Sequence, residues 1–181
     1  HRYGFFSNKI QSIFITHQVF LPLKWYQFAA QYIHTMLMQS FNEIWIMDTE
    51  EDRLAGKLSA KPKRKSYLYI GHYSRFKKVE TARKDIQLGV VNGPKPFSDQ
   101  LFEVLLNRKE IDKIIVPQEL YYTSLDSRLV NTNSWLEADL YFYQANIIHA
   151  YCGYTTLMDL KVLGCKAVLE PTPGQLEQIY L

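Results

Sequence analysis

Glycine, threonine, acidic and amide residues cluster in two segments near the end of the chain, each behind an apolar run. In the first segment, Gly153 permits a tight turn, and the backbone N–H groups behind it open a helix whose N-terminus favours an anionic phosphate. Three residues form that helix start: Tyr154, Thr155 and Thr156. Asp159 follows on the same helix, where its carboxylate either accepts hydrogen bonds from sugar hydroxyls or is solvated.

The second segment runs from Glu170 to Gln178 and is rich in proline, glycine and amide residues. Its two prolines and Gly174 fix a loop at a strand end. The amide groups of Gln175 and Gln178 are suited to bidentate contact with vicinal hydroxyls. The alternative for this segment is a turn that leads into a polar helix face.

Three further residues follow predicted strands and carry chemistry of their own. Gly93 lies in a strand-to-helix loop that has one glycine where a dinucleotide fingerprint has three, and its prolines remove N–H donors, so the alternative is a structural turn. Arg75 offers a guanidinium that clamps a diphosphate, or else a surface charge. His17 is a general base near neutral pH or a hydrogen-bonded structural residue.

The spacing of apolar residues predicts the elements that must position these groups. In the first part of the chain it predicts strands at 12–16, 43–47 and 67–70, a helix from Trp25 to Leu37, and a polar surface loop at 50–66. Strand, helix and strand in this order indicate a parallel α/β layer.

The second part of the chain repeats the pattern. A helix that ends near Asn107 begins at Ser98, which we predict to be its N-cap, with Asp99 in the first turn. The other predicted elements are strands at 86–91, 113–116, 127–130, 146–150 and 166–170 and a helix at 154–163. We therefore predict the α/β fold class, with two Rossmann-like units in tandem and mostly parallel sheets.

Composition limits the classes of function. With 47% hydrophobic and 22% charged residues, the chain is typical of a globular protein. The net charge of +3 is small and the basic residues are dispersed, which argues against nucleic acid. The basic run Lys61–Lys65 lies between two apolar segments and is interpreted as a solvated linker. No apolar run is long enough to span a bilayer.

Two absences bear on chemistry and compartment. Cys152 and Cys165 have no C-x-x-C spacing, so we expect neither a zinc site nor a disulfide framework, and a reducing cytosol fits. No Asp-x-Asp motif occurs, so a chelated divalent metal is not expected. The chain has no initiator methionine and stops at Leu181 without a closing helix, which indicates a fragment truncated at both ends.

Taken together, these loops resemble those of GT-B-fold glycosyltransferases related to MurG, the N-acetylglucosaminyltransferase that forms lipid II. The resemblance is closest to an uncharacterised bacterial branch whose members read R-Y-G-F near the middle, then S-G-Y-S-T-x-M-D-L and P-T-P-G-Q-x-E-Q near the end. The matching segments in this chain are Arg2–Phe5, Cys152–Leu160 and Pro171–Gln178. The resemblance covers essentially the whole chain.

The resemblance implies a GT-B-like organisation, in which residues 1–76 belong to the acceptor-side domain and residues 77–181 form a donor-binding domain that is incomplete at its C-terminus. It implies a cytoplasmic hexosyltransferase without a cofactor. The enzyme would move a sugar from a UDP-sugar donor to an acceptor hydroxyl, independently of metal and with inversion. The acceptor is left open among a glycan, a lipid-linked molecule and a small molecule, as is peripheral contact with the inner face of the membrane.

The same resemblance implies roles for individual residues. Arg75 would contact the donor nucleotide or its phosphates, and Asp159 would bind the donor ribose. Gln175 and Gln178 would meet the transferred sugar. His17 would be the base on the acceptor side.

Two departures from the family pattern leave other functions open. Cys152 replaces the serine that usually precedes this glycine, and Phe97-Ser98 stands where relatives carry Gln-Arg. A missing phosphate contact would weaken donor binding. The alternatives are a nucleotide-sugar hydrolase or epimerase of the same fold and a degenerate, non-catalytic nucleotide-binding subunit.

Overall fold

The computed structural model describes residues 11–22, 28–63, 66–78, 85–117, 119–179 and 181. The predicted helix start at Trp25 and the Arg2–Phe5 motif lie outside the described residues. The chain divides into two compact units. Unit 1 comprises His1–Tyr73 with Ile179–Leu181, and unit 2 comprises Ser74–Gln178.

Unit 1 contains a three-stranded parallel sheet and one helix. Its elements are β1 (Ile13–Thr16), α1 (Phe28–Gln39), β2 (Glu43–Ile46) and β3 (Tyr67–Tyr69). The strands lie in the order β1-β2-β3. Alternation along β2 buries Ile44 and Ile46 against Val19 and Met38, which form the core of this unit. The three predicted strands are confirmed.

Unit 2 contains a five-stranded sheet with helices. Its elements are β4 (Gln87–Val90), α2 (Phe97–Asn107), β5 (Lys113–Val116), β6 (Leu129–Asn131), α3 (Trp135–Gln144), β7 (Ile147–Tyr151), α4 (Tyr154–Leu163), β8 (Lys166–Glu170) and a short 3-10 helix (Leu176–Ile179). The strands are parallel in the order β6-β5-β4-β7-β8. This α/β architecture is compatible with a Rossmann-like unit.

The two faces of the five-stranded sheet carry separate cores. On one face, Leu101 and Leu105 of α2 pack against Ile114 and Val116 of β5 and against neighbouring apolar residues. On the other face, α3 and α4 cover the sheet with side chains such as Phe142. Because both faces are covered, the central strands are mostly apolar on both sides, as parallel strands usually are, although β7 also buries the polar His149.

Helix α3 is absent from the sequence prediction, which placed no helix between the strands on either side of it. The reason is that Leu136 and Leu140 are apolar yet 80% and 62% exposed, which obscures the helical period. A capping signal was present. The Ser134 hydroxyl accepts a hydrogen bond from the Glu137 N–H at 3.2 Å, and the Glu137 carboxylate accepts one from the Asn133 N–H at 3.0 Å.

The predicted N-cap of α2 is also wrong. The helix begins at Phe97, with Pro96 in the cap position and no side-chain cap. Ser98 is buried, and its hydroxyl accepts a hydrogen bond from Tyr122 at 3.4 Å. Proline fits at such a helix start because the first N–H groups have no acceptor within the helix. Asp99 lies in the first turn, as predicted.

The polar segment at 50–66 is not wholly a surface loop, because Ala55, Leu58 and Ser59 are buried. Asp48, whose side chain is fully buried, lies directly before this segment. Its carboxylate accepts hydrogen bonds from the backbone N–H groups of Thr49, Leu54 and Ala55, from the Ser59 hydroxyl and from His72 Nε2. One buried carboxylate therefore folds the segment back onto the sheet.

These hydrogen bonds change the acidity of Asp48. Burial acts to raise the pKa of the Asp48 carboxyl, but hydrogen bonds from Ser59, Ala55 and His72 outweigh it and hold the pKa below its usual value.

None of the described helices is both long enough and apolar enough to cross a bilayer.

We expect Asp48→Asn to destabilise the protein by about 3 kcal/mol at pH 7, because the amide brings a donor into a buried ring of donors. Since the folded-state pKa of Asp48 is lowered, its stabilisation is full above the unfolded pKa of about 3.9 and is lost as pH falls through the folded value. The difference in the free energy of unfolding between wild type and variant should therefore become smaller below pH of about 4. Urea unfolding at a series of pH values measures it.

The exposed Glu51→Gln is the matched control and should leave stability unchanged. Equal stability of Asp48→Asn and wild type at pH 7 would contradict the structural role of Asp48.

Candidate ligand site of unit 2

Strand order creates a crevice at one edge of the five-stranded sheet. The connection after β4 runs through α2 to β5 on one side, and the connection after β7 runs through α4 to β8 on the other. Neighbouring parallel strands whose connections diverge leave a gap beyond their carboxyl ends, where ligands of such sheets bind. A cavity of about 310 Å³ lies at this gap.

The cavity joins most of the residues predicted to bind a donor. Its polar lining comes from the ends of β4, β7 and β8, from α4 and from the segment before β4: Arg75, Asn92, Thr155, Thr156, Asp159, Thr172, Gln175 and Gln178. Gly93 and Gly153 line it as well. Tyr154 and Gly174 are not among its lining residues, and Tyr154 is instead buried. Segments 100 residues apart in sequence thus share one cavity.

Asn92 holds the two central strands together beyond their last backbone pairing. Its side-chain amide donates to the Tyr151 carbonyl at 3.0 Å, and its oxygen accepts from the Tyr151 N–H at 2.8 Å. The side chain thus takes the place of a backbone peptide in the sheet. Asn92 was not among the predicted site residues, although an amide after a strand is a signal of this kind.

Gly93 follows Asn92 and has a backbone that requires glycine. Its φ is +87°, and an added Cβ would lie 3.3 Å from Cδ2 of Tyr151. An L side chain at this position would be strained in its backbone and crowded by the ring. The turn interpretation of Gly93 therefore holds, and the same turn forms part of the cavity wall.

Gly153 occupies the N-cap position of α4 and is not in a tight turn. Its φ of −114° and ψ of 151° are extended values that any residue adopts, so the predicted conformational reason for glycine is wrong. No side chain caps this helix. The first helical bond runs from the Leu157 N–H to the Gly153 carbonyl, so the N–H groups before Leu157 have no acceptor inside the helix.

The start of α4 therefore differs from the start of α3, where Ser134 supplies a side-chain cap. Thr155 and Thr156, in the first turn of α4, line the cavity together with Gly153. An uncapped helix start that opens into a cavity directs N–H donors and a partial positive charge toward any ligand there. This arrangement suits an anionic group such as a phosphate.

Arg75 is held by two carboxylates from two different helices. Its Nε donates to Asp139 of α3 at 2.8 Å, and its Nη1 donates to Asp159 of α4 at 3.2 Å. The Ser74 hydroxyl also donates to Asp159, at 2.6 Å. The predicted diphosphate clamp is therefore already ion-paired, with two of its five N–H groups taken by carboxylates.

The environment of Asp159 penalises its charge. Burial raises the pKa of this carboxyl above its usual value, while the Ser74 hydroxyl and the Arg75 guanidinium partly counteract the effect. Asp159 remains an acceptor at the cavity wall, with 15% of its side chain exposed. This position fits the predicted contact with a hydroxyl group.

Aromatic side chains form part of the apolar lining of the cavity. Trp135 and Phe142 line it, and the Arg75 guanidinium lies 5.2 Å and 5.4 Å from their ring centroids. Phe76 packs on the guanidinium from 4.5 Å. Such contacts stabilise a cation and hold its plane. Neither Trp135 nor Phe142 was predicted, because both belong to α3.

Two glutamines divide their roles. Gln178 uses both ends of its amide within the protein, because its oxygen accepts from the Thr172 N–H at 2.6 Å and its nitrogen donates to the Gln175 oxygen. Gln175 therefore retains its own NH₂ group, which donates hydrogen bonds, for a ligand in the cavity. Both glutamines line the cavity, and the hydrogen bond from Gln178 fixes the side-chain amide of Gln175.

His17 belongs to unit 1. It follows β1 directly, is half-buried and is not among the residues that line the cavity of unit 2. The role of His17 as a base therefore stays a prediction.

Capping α4 tests whether its first turn binds anions. We expect Gly153→Ser to lower the affinity for inorganic pyrophosphate several-fold. The serine hydroxyl would accept hydrogen bonds from the N–H groups that otherwise bind the anion. Stability should change by only a few tenths of a kcal/mol. Titration calorimetry with pyrophosphate measures the affinity.

Ser134→Ala is the control at the other helix start. It should cost about 1 kcal/mol of stability by removing a cap, yet leave pyrophosphate affinity unchanged. If Gly153→Ser binds pyrophosphate as tightly as wild type does, α4 is not the anion site.

Comparison with protein-family models, curated proteins and solved structures finds no significant match for this chain. The functional interpretation of the cavity therefore depends on its geometry and on the residues that line it. These residues combine an uncapped helix start, a guanidinium, hydroxyl-binding side chains and aromatic rings around one crevice.

Proposed function

We propose that unit 2 binds a nucleoside diphosphate sugar and that the chain belongs to a glycosyltransferase of GT-B type. The observation that carries this proposal is the cavity at the divergence of β4 and β7, with the uncapped start of α4 on its wall. A nucleotide sugar joins an aromatic base, hydroxyl-rich rings and a diphosphate. The cavity contains groups of matching chemistry for each part.

The diphosphate is assigned to the start of α4. Backbone N–H groups near Thr155 and Thr156 stabilise negative charge without needing a basic side chain, and Arg75 adds one guanidinium. During transfer, charge develops on the departing diphosphate. Donors already directed at that charge lower the barrier, which is commonly the largest contribution to catalysis of this type.

The sugars of the ligand are assigned to Asp159 and Gln175. Asp159 is a partly exposed acceptor, so it fits a ribose hydroxyl that donates to it. Gln175 presents an NH₂ group and fits an oxygen acceptor, such as a sugar hydroxyl oxygen. These assignments agree with the roles that the MurG-like resemblance implies.

The proposed reaction is a single displacement. The acceptor oxygen forms a bond to the anomeric carbon as the bond from that carbon to the diphosphate oxygen breaks, which inverts the configuration. A base takes the acceptor proton, and His17 is the residue proposed for this step. The products are the glycosylated acceptor and the nucleoside diphosphate, UDP for a UDP-sugar donor.

A non-catalytic nucleotide-binding subunit is the second candidate. It is favoured by the pairing of Arg75 with both Asp139 and Asp159, because two carboxylates offset the one guanidinium available to a diphosphate. Phe97-Ser98, which stands where the resembled family carries Gln-Arg, acts in the same direction because it lacks the arginine. Such a protein would bind the nucleotide and transfer nothing.

Calorimetric titration of the full chain with UDP and with uridine tests the proposal. We expect UDP to bind more tightly than uridine, because the diphosphate engages α4 and Arg75. Arg75→Lys should weaken UDP binding by about tenfold, since a point charge replaces the planar fork of donors. Undetectable UDP binding by wild type would contradict both candidates.

Lys95→Gln is the matched control, because Lys95 is exposed, pairs with Asp99 and does not line the cavity. It should bind UDP as wild type does. Product analysis with UDP-sugars then separates the reactions. A transferase needs an acceptor to release UDP, whereas stoichiometric free sugar or an epimer formed without acceptor would identify a hydrolase or epimerase.

A further inference from the structure

Asp139 lies just outside the cavity yet makes the shortest contact to its guanidinium. It is carried by α3, its side chain is 17% exposed, and its Oδ1 accepts from Arg75 Nε at 2.8 Å. It is not among the cavity-lining residues, whereas Arg75 and Asp159 are. Asp139 therefore contacts the guanidinium without lining the cavity itself.

The N–H groups of Arg75 fall into two sets, those bound to carboxylates and those without an acceptor among the described residues. A guanidinium has five N–H groups in one plane. Asp139 takes the single Nε–H, and Asp159 takes one N–H of Nη1. The other N–H of Nη1 and both of Nη2 have no hydrogen-bond acceptor among the described residues. These are the groups that a phosphate binds in a fork.

Stacking alone cannot aim those groups. Phe76, at 4.5 Å, and Trp135, at 5.2 Å, hold the guanidinium plane, but a cation packed on a ring still turns within its own plane. A hydrogen bond in that plane stops the turning. The Nε contact is the bond of this kind that a ligand in the cavity need not displace, because Asp139 is not among the residues that line the cavity.

We propose that Asp139 is a positioning residue for diphosphate recognition: it anchors Arg75 through Nε so that the Nη groups face the phosphates of the ligand. The inference rests on the proposed function of unit 2. Asp159 has the opposite relation to the ligand, because it holds Nη1 and must share it when a phosphate arrives. Asp139 thus holds a nitrogen that the ligand does not use, whereas Asp159 holds a nitrogen that the ligand shares.

Two substitutions separate positioning from charge. Asp139→Leu removes the acceptor, whereas Asp139→Asn keeps an oxygen for Nε–H and removes only the charge. Titration calorimetry with UDP and with uridine follows each variant. We expect Asp139→Leu to weaken UDP binding by about tenfold, the scale of one charge-assisted hydrogen bond.

Asp139→Asn should bind UDP at least as tightly as wild type does, because the anchor persists and one negative charge near the diphosphate is gone. Uridine affinity should be unchanged in both variants, since uridine has no phosphate. Thermal unfolding checks that both variants remain folded.

Three outcomes would overturn the inference: wild-type UDP affinity in Asp139→Leu, equal loss in the Leu and Asn variants, or equal loss of UDP and uridine affinity in the Leu variant. Wild-type protein that binds no UDP would instead overturn the proposed function, and this inference with it.

Discussion

The divergence of two neighbouring strands is the constraint on which the site depends. β4 and β7 lie side by side, their following helices cover opposite faces of the sheet, and the Asn92 side chain binds Tyr151 beyond the last strand pairing. The crevice is therefore built at the centre of the sheet. Residues at either side of it, such as Gly93 and Thr155, closely follow the ends of the two central strands, which fixes their positions.

The positive charge of Arg75 at the cavity is balanced by two carboxylates. One guanidinium is shared by Asp139 and Asp159, so a diphosphate gains less from Arg75 than from an unpaired arginine. The start of α4 compensates, because backbone N–H groups attract anions without any carboxylate partner. The two ion pairs also restrict the conformation of the Arg75 side chain. A side chain that is already ordered before binding loses less conformational entropy when a ligand binds.

Much of the fold was predictable from apolar spacing. Most of the candidate residues at strand ends line one cavity, because parallel strands bring their carboxyl ends to one edge of the sheet. The features that were not predicted depend on contacts between residues far apart in sequence or on the exposure of side chains. Asp139 meets Arg75 across 64 residues, which no local pattern records. α3 carries exposed leucines that hide its period, and Asp48 organises a segment that looks like solvent-exposed loop. The division of labour between Gln175 and Gln178 depends on amide orientation, which sequence does not encode.

The proposed function depends above all on the binding of a nucleoside diphosphate at the start of α4. The most direct measurement is a titration of isotope-labelled protein with UDP, followed through its backbone amide resonances by NMR. We expect the amide resonances of Thr155, Thr156 and Gly93 and the Nε–H resonance of Arg75 to shift together with one dissociation constant. UDP binding that leaves these resonances in place and shifts amides of the three-stranded sheet instead would contradict it.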